Sequence, residues 1–157
     1  LSYCFKKTYT VNKDLKSFDS AKMLNVGIDN ITYVPFDLYS SEELKIDNVS
    51  VFMVDAGHKY EHVVSDINRC LSMTDMEECY IIFDDYGLDV HEEEVKLAID
   101  EYINSGKIEI VKKIGHESGH TFGGSLGRTL KDSEGMLLKY KKEKIKLLPL
   151  KKIKYVF

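Results

Sequence analysis

Two short apolar runs in this chain each end abruptly in acid. Val51-Phe52-Met53-Val54 leads into Asp55-Ala56-Gly57-His58, and Tyr80-Ile81-Ile82-Phe83 leads into Asp84-Asp85. Both runs have the length and the β-branched and aromatic content of strands, and the second is unbroken, as in a sheet covered on both faces. Between them Tyr60, Val63, Val64, Ile67 and Leu71 recur at spacings of three and four, one face of an amphipathic helix. Strand, helix, strand is the repeating unit of a parallel sheet with right-handed crossovers. Open sheets of this kind present the carboxyl ends of their strands to a ligand crevice. Two neighbouring strands ending this way would gather Asp55, Asp84, Asp85 and His58 at one edge. Such a cluster is costly unless it holds a cation or does acid–base work.

The alternation continues on both sides. Thr8 to Val11 reads as a strand, and Lys13 to Asn25 as a helix with Leu15, Phe18, Ala21 and Leu24 inward and Gly27 as its stop. Asn30 to Phe36 is expected to be a strand, with Pro35 removing one ladder donor near its end. The strand at Val51 is expected to begin at Asn48. Asp89 and Glu92 fit the N-cap and reciprocal partner of a helix whose stripe is Val95, Ala98, Ile99, Tyr102 and Ile103, ended by Gly106. Lys107 to Ile114 reads as a strand, Gly115 to Gly127 as a loop, and Gly135 to Tyr140 and Ile145 to Leu148 as late strands. The expectation is one α/β domain over residues 1–157: a mostly parallel sheet, helices on both faces, a late antiparallel strand, and a Lys-rich strand extension over 141–157.

Composition narrows the field of functions. The chain has 157 residues, 43% of them hydrophobic, enough for a real core. A net charge of −4 gives no general pull towards nucleic acid or an anionic membrane. Cys4, Cys70 and Cys79 lack metal-ligand spacing and read as reduced thiols of a cytoplasmic protein. No apolar run approaches membrane-spanning length, and no signal-peptide pattern opens the chain.

Carboxylate oxygens at the two strand ends suit a hard divalent ion such as magnesium, which keeps open or water-filled positions. An ion held there would lower the pKa of a bound hydroxyl, and His58 could accept the proton, since imidazole titrates near neutrality. His62 and His91 read as solvated surface residues, Tyr60 and Tyr86 as packing residues more than pocket lining, and the Lys-rich stretch from Lys139 to Lys154 as a solvated strand edge. One competing motif exists. His116-Glu117-Ser118-Gly119-His120 is a formal H-E-x-x-H followed by Gly123, as in zinc proteases. The third ligand position of that pattern holds Leu126, the segment before it reads as a strand, and Gly115, Gly119, Gly123 and Gly124 make a helix there costly. A chance match in a loop is the preferred reading.

Four pieces carry a family likeness: Val54 to Tyr60, Ile82 to Tyr86, Val95 to Glu101, and Ser133-Glu134-Gly135 with Met136-Leu137-Leu138. Over residues 8–140 the chain resembles the class I, Rossmann-like S-adenosylmethionine-dependent methyltransferases. The nearest branch is the metal-dependent O-methyltransferases, which includes macrolide-sugar O-methyltransferases and cephalosporin-hydroxylase-like proteins. The resemblance implies S-adenosylmethionine and Mg2+, or a similar divalent cation, as cofactors. It assigns Asp55, Asp84 and Asp85 to the metal and His58 to the general base. It puts Asp37 against the adenine amino group, and Asn12 with Asp14 where the ribose hydroxyls are held. The acceptor would be a hydroxyl of a small molecule or sugar, with no nucleic acid or membrane partner, in a protein able to form a homo-oligomer. In this class a strand, a glycine-rich turn and a helix precede the acidic strand. Leu1 to Lys7 is too short to hold them and looks like the end of that helix, as in a chain trimmed at its N-terminus. Taken as complete, the chain would be a non-catalytic or degenerate methyltransferase-like module without the glycine-rich cofactor loop.

Overall fold

The computed structural model describes residues 3–88, 94–121 and 129–142. The elements run β1 (Thr8–Asn12), α1 (Leu15–Leu24), β2 (Ile31–Pro35), β3 (Val51–Val54), α2 (Tyr60–Ser72), β4 (Glu78–Phe83), α3 (Glu94–Asn104), β5 (Ile108–Ile114) and β6 (Gly135–Lys141). This is the α/β alternation that the sequence implies. β1 and β2 pair in parallel as a two-stranded sheet, and the other strands form a sheet of order β3-β4-β6-β5. β3 and β4 are parallel, and β6 opposes both of its neighbours, so it is the single reversed strand of its sheet. Among the described residues β1 and β3 each have a ladder partner along one edge only.

Register explains where the core sits. Phe52 lies opposite Ile81, Ile81 opposite Leu138, and Phe83 opposite Met136, so these side chains share one face of the larger sheet. Val63, Ile67 and Cys70 of α2 and Val95, Ala98 and Ile99 of α3 cover that face, and together they form the buried core. The two helices also meet each other. The Tyr102 hydroxyl donates to Asn68 Oδ1 at 2.9 Å, and the Tyr60 amide donates to Glu94 Oε2 at 2.7 Å.

Among the described residues the two faces of β4 are unequally buried: Cys79, Ile81 and Phe83 are buried, while Tyr80 and Ile82 are half-buried and the neighbouring Met53 is 59% exposed. The inward stripe expected for the first helix is corrected. Phe18 is buried against the edge of Tyr33, whereas Leu15 and Leu24 are 61% and 86% exposed. A two-stranded sheet is too narrow to bury a full helical stripe. Asp14 caps this helix through Lys16 N, and Asn25 closes it, two residues before Gly27 at φ +83°. β3 starts at Val51 instead of Asn48, because Asn48 sits at φ 58° and breaks the extended run. Tyr3 to Lys6 forms a turn and a bend, not the end of a helix.

Cys70 and Cys79 are buried free thiols, and Cys4 is an exposed one. Among the described residues no helix is long and apolar enough to cross a membrane. Asp89, His91, Glu92, Gly123, Gly124, Leu126, Ile145 to Leu148 and the extension beyond Lys142 lie outside the described residues. Within them the expected edge is corrected for Lys139 and Lys141, which lie on β6 between β4 and β5; Lys139 pairs with Glu78, Lys141 with Glu109 and Lys142 with Asp75.

Candidate functional site at the carboxyl edge of the sheet

Val54 and Phe83 are the last paired residues of two parallel strands, so Asp55 and Asp84 leave the sheet side by side. The Asp84 amide extends the ladder by donating to Val54 O at 3.1 Å. Asp85 then takes φ 56°, a left-handed conformation that aspartate tolerates better than most residues. After that turn its Oδ2 stands 3.1 Å from His58 Nε2. Asp55, His58 and Asp85 each offer a ligand atom, and these atoms all lie within 4.8 Å of one another. Asp84 stands beside this group, not in it. Burial raises its pKa, and the nearby carboxylates of Asp85, Asp55 and Glu134 add to the effect.

The reversed strand brings a further arm to this edge. Because Met136 pairs with Phe83 and Gly135 with Ile114, Glu134 and His116 arrive beside the end of β4. Glu134 Oε2 accepts from the His116 amide at 2.9 Å and lies 2.8 Å from His116 Nδ1. These His116 contacts hold the Glu134 carboxyl below its usual range. The His116 and His120 rings stack at 3.8 Å in a segment of bends and turns. The helix that would aim both imidazoles of an H-E-x-x-H at one zinc ion is absent there. Sequence reasoning passed over Glu134 as an edge residue. The signal was its place one residue ahead of a strand antiparallel to β4.

A second omission lies between the two sheets. Tyr39, just after β2, accepts the Gly57 amide on its hydroxyl at 2.6 Å and donates to Asp66 Oδ2 at 3.2 Å. Its ring stacks on His62 at 4.0 Å, which corrects the expectation of a solvated His62. The carboxyl ends of β2 and β3 therefore lie together. Asp66 sits on the apolar stripe of α2, where a charge is out of pattern, and that was the signal available in the sequence. Burial pushes its carboxyl up to about 6, against the opposing pulls of Tyr39, His62 and Arg69. Tyr39 itself is pushed up to about 12, by burial first and by Asp66 second.

A carboxyl whose folded pKa is raised adds stability at low pH that is lost as pH rises through that pKa. Asp66 should therefore cost the protein roughly 2 kcal/mol between about pH 4 and pH 7. Asp66→Asn is expected to remove that part of the decline, and melting temperatures across this range would show it. A parallel pair of pH profiles would refute the assignment.

The residues expected at the cofactor take local roles here. Asn12 Oδ1 accepts the Asp14 amide at 2.9 Å, and Asp14 accepts from Lys16 N at 3.0 Å and Ser17 Oγ at 2.9 Å. Asp37 Oδ1 accepts the Tyr39 amide at 3.0 Å, while its Oδ2 lies 4.0 Å from Lys13 Nζ. Asn12 and Asp37 do stand at the carboxyl ends of two paired parallel strands. Tyr86 is buried and packs as expected. Its hydroxyl donates to Asp100 and accepts from Lys96, both at 2.6 Å, which anchors the turn behind Asp84-Asp85.

No family model matches the chain, and no curated protein matches it by sequence. Solved structures do. The N-methyltransferase NodS from Bradyrhizobium japonicum, in complex with S-adenosylhomocysteine, superposes with a TM-score of 0.59 at 8% identity, over 88% of this chain and 68% of that one. An rRNA methylase from Streptococcus thermophilus superposes with a TM-score of 0.50 at 13% identity, over 88% of this chain and 75% of that one. At such identities the likeness is one of fold, and the chain carries the Rossmann-like α/β fold of these methyltransferases.

Proposed function

We propose that the protein is an S-adenosylmethionine-dependent methyltransferase that uses a divalent cation to methylate a hydroxyl of a small molecule or sugar. The observation that carries this reading is the convergence of Asp55, His58 and Asp85 at the carboxyl edge of a methyltransferase-type sheet. The carboxylates of Asp55 and Asp85 fit a divalent ion with positions left open for an acceptor, Asp84 stands beside them as a further oxygen donor, and His58 lies at the same edge as the base. An ion bound there would supply Lewis acidity to the acceptor hydroxyl. His58, oriented by Asp85, takes the hydroxyl proton. S-adenosylmethionine, when bound, would supply the methyl group for the acceptor oxygen, leaving a methyl ether and S-adenosylhomocysteine. Asn12, Asp14 and Asp37 would meet the ribose and adenine by exchanging their local hydrogen bonds for the cofactor's. Asp55, Asp84, Asp85 and Glu134 on one rim disfavour a polyphosphate backbone, which supports a small acceptor over a nucleic acid. Two buried free thiols support a reducing compartment such as the cytoplasm.

Titrating S-adenosylmethionine into the full-length protein by calorimetry, with and without Mg2+, tests the reading. Binding is expected in both conditions, and heat in neither would dismiss it. A second reading, a methyltransferase-like module without catalysis, draws on Asn12, Asp14 and Asp37, whose side chains are already engaged in local hydrogen bonds. On that reading Asp55→Ala would change neither cofactor binding nor biological activity.

A further inference from the structure

We infer that Tyr39 is a positioning residue: anchored on Asp66, its hydroxyl fixes the Asp55–His58 turn in the conformation that brings both side chains to Asp85. The inference rests on the reading that Asp55 and Asp85 hold a divalent cation with His58 beside it as the base.

The turn from Asp55 to Lys59 has no regular structure of its own, yet it must hold the Asp55 carboxylate and the His58 imidazole in place. Tyr39 holds it from outside. The hydroxyl meets the Gly57 amide midway between Asp55 and His58. The fit leaves no room to spare. A Cβ added at Gly57 would strike the Tyr39 hydroxyl and His62 Nδ1, the two rings that stack on each other. Glycine at 57 is thus explained by close approach, since its Cα faces this pair directly.

Tyr39 is itself held at several points. The Asp37 side chain and carbonyl accept the amides of Tyr39 and Ser40, which fixes the turn that carries the ring. Arg69 on α2 donates to Ser40 O at 2.7 Å and Glu42 O at 3.3 Å, and its guanidinium lies over Phe36 at 5.6 Å. The hydroxyl ends on Asp66, which is 3% exposed and cannot swing to water. Asp66 has a second oxygen, Oδ1, buried without a hydrogen-bond partner among the described residues. A half-satisfied buried carboxyl is expensive to keep, which argues that its one bond to Tyr39 has a use. The clamp therefore runs from the interior of α2, through one phenol, to the backbone between the proposed ligand Asp55 and the proposed base His58.

Mn2+ binding, followed by calorimetry and by electron paramagnetic resonance, tests the clamp together with amide exchange at Gly57. Tyr39→Phe keeps the ring and its stack on His62 but removes the hydroxyl. It is expected to weaken Mn2+ about tenfold, the scale of lost outer-shell support, and to speed Gly57 exchange. Asp66→Asn retains an oxygen that accepts from Tyr39 and is expected to bind within about twofold of wild type, whereas Asp66→Leu should match Tyr39→Phe. If Tyr39→Phe does not fold, the Asp66→Asn and Asp66→Leu pair decides. Wild-type Mn2+ affinity together with unchanged Gly57 exchange in Tyr39→Phe overturns the inference. A wild-type protein that binds no Mn2+ overturns the cation reading instead, and the clamp then stands or falls on Gly57 exchange.

Discussion

Replacing Gly87 by alanine is expected to destabilise the protein by about 3 kcal/mol or more. Gly87 lies just beyond Asp84-Asp85, where the chain leaving β4 passes the chain entering β6. A Cβ at this position would stand 2.6 Å from the Asp132 carbonyl carbon and from Ser133 O, and 2.8 Å from Asp132 Cα. All three are backbone atoms, so no rotamer change relieves the clash. Two backbone bonds tie the strands at the crossing, Lys131 N to Gly87 O at 2.8 Å and Tyr86 N to Glu134 O at 2.9 Å. Moving the segments apart would lose both. Each lost bond is worth about 1 kcal/mol, and overpacking adds roughly 1–3 kcal/mol. Gly106→Ala is the control. Nothing lies within 4 Å of a Cβ there, and only the φ of +75° is strained, at about 1 kcal/mol. Urea unfolding of the two variants would compare them, and a Gly87→Ala loss no larger than that of Gly106→Ala would refute the crossing as a packing constraint.

The same crossing shows which parts of the fold can be read from sequence. Strand and helix order follows from local periodicity: Val63 and Ile67 on α2, or Val95 and Ile99 on α3, announce the face they bury. The acidic residues at the strand ends were legible for the same reason, because a strand that stops at Asp must deliver its carboxylate to the edge. Exposure was less legible. Leu15 and Leu24 fit a helical stripe but stand exposed, since among the described residues the sheet beside α1 has two strands. Burial of an apolar residue needs a partner layer, and that layer is set by distant chain.

The site shows the limit more sharply. Its spacing within one segment, Asp55 to His58, is visible in the sequence. Which of two adjacent carboxylates joins them is not, because the choice between Asp84 and Asp85 turns on a single left-handed residue. Glu134, His116 and Tyr39 come from elements remote in sequence and reach the edge through strand pairing and loop docking. Asp66 is the exception. A lone carboxyl on a hydrophobic stripe is an anomaly that periodicity itself exposes, and anomalies of this kind point to a partner supplied by the tertiary fold.

Asp85 supplies the other large expected effect, because stability and function should part there. Its φ of 56° costs a non-glycine residue about 1 kcal/mol, which Asp85→Gly would recover. The same change removes the carboxylate that meets His58 and completes the group with Asp55. Asp85→Gly is therefore expected to melt no lower than wild type while losing about 100-fold or more in Mn2+ affinity. Asp55→Ala should lose a similar factor without the gain in stability, since no strain is released at that position. Asp84→Asn, beside the group, is expected to lose about tenfold at most, and removing a charge disfavoured by burial and by its acidic neighbours offsets part of any structural cost. His58→Ala separates ligand from base: weakened Mn2+ binding marks a ligand, whereas intact binding with failed methyl transfer marks the proton acceptor. Calorimetry with Mn2+ alongside thermal melts measures every one of these changes. Asp85→Gly that binds Mn2+ like wild type would show that the left-handed turn serves the chain path alone, and would return the second carboxylate to Asp84.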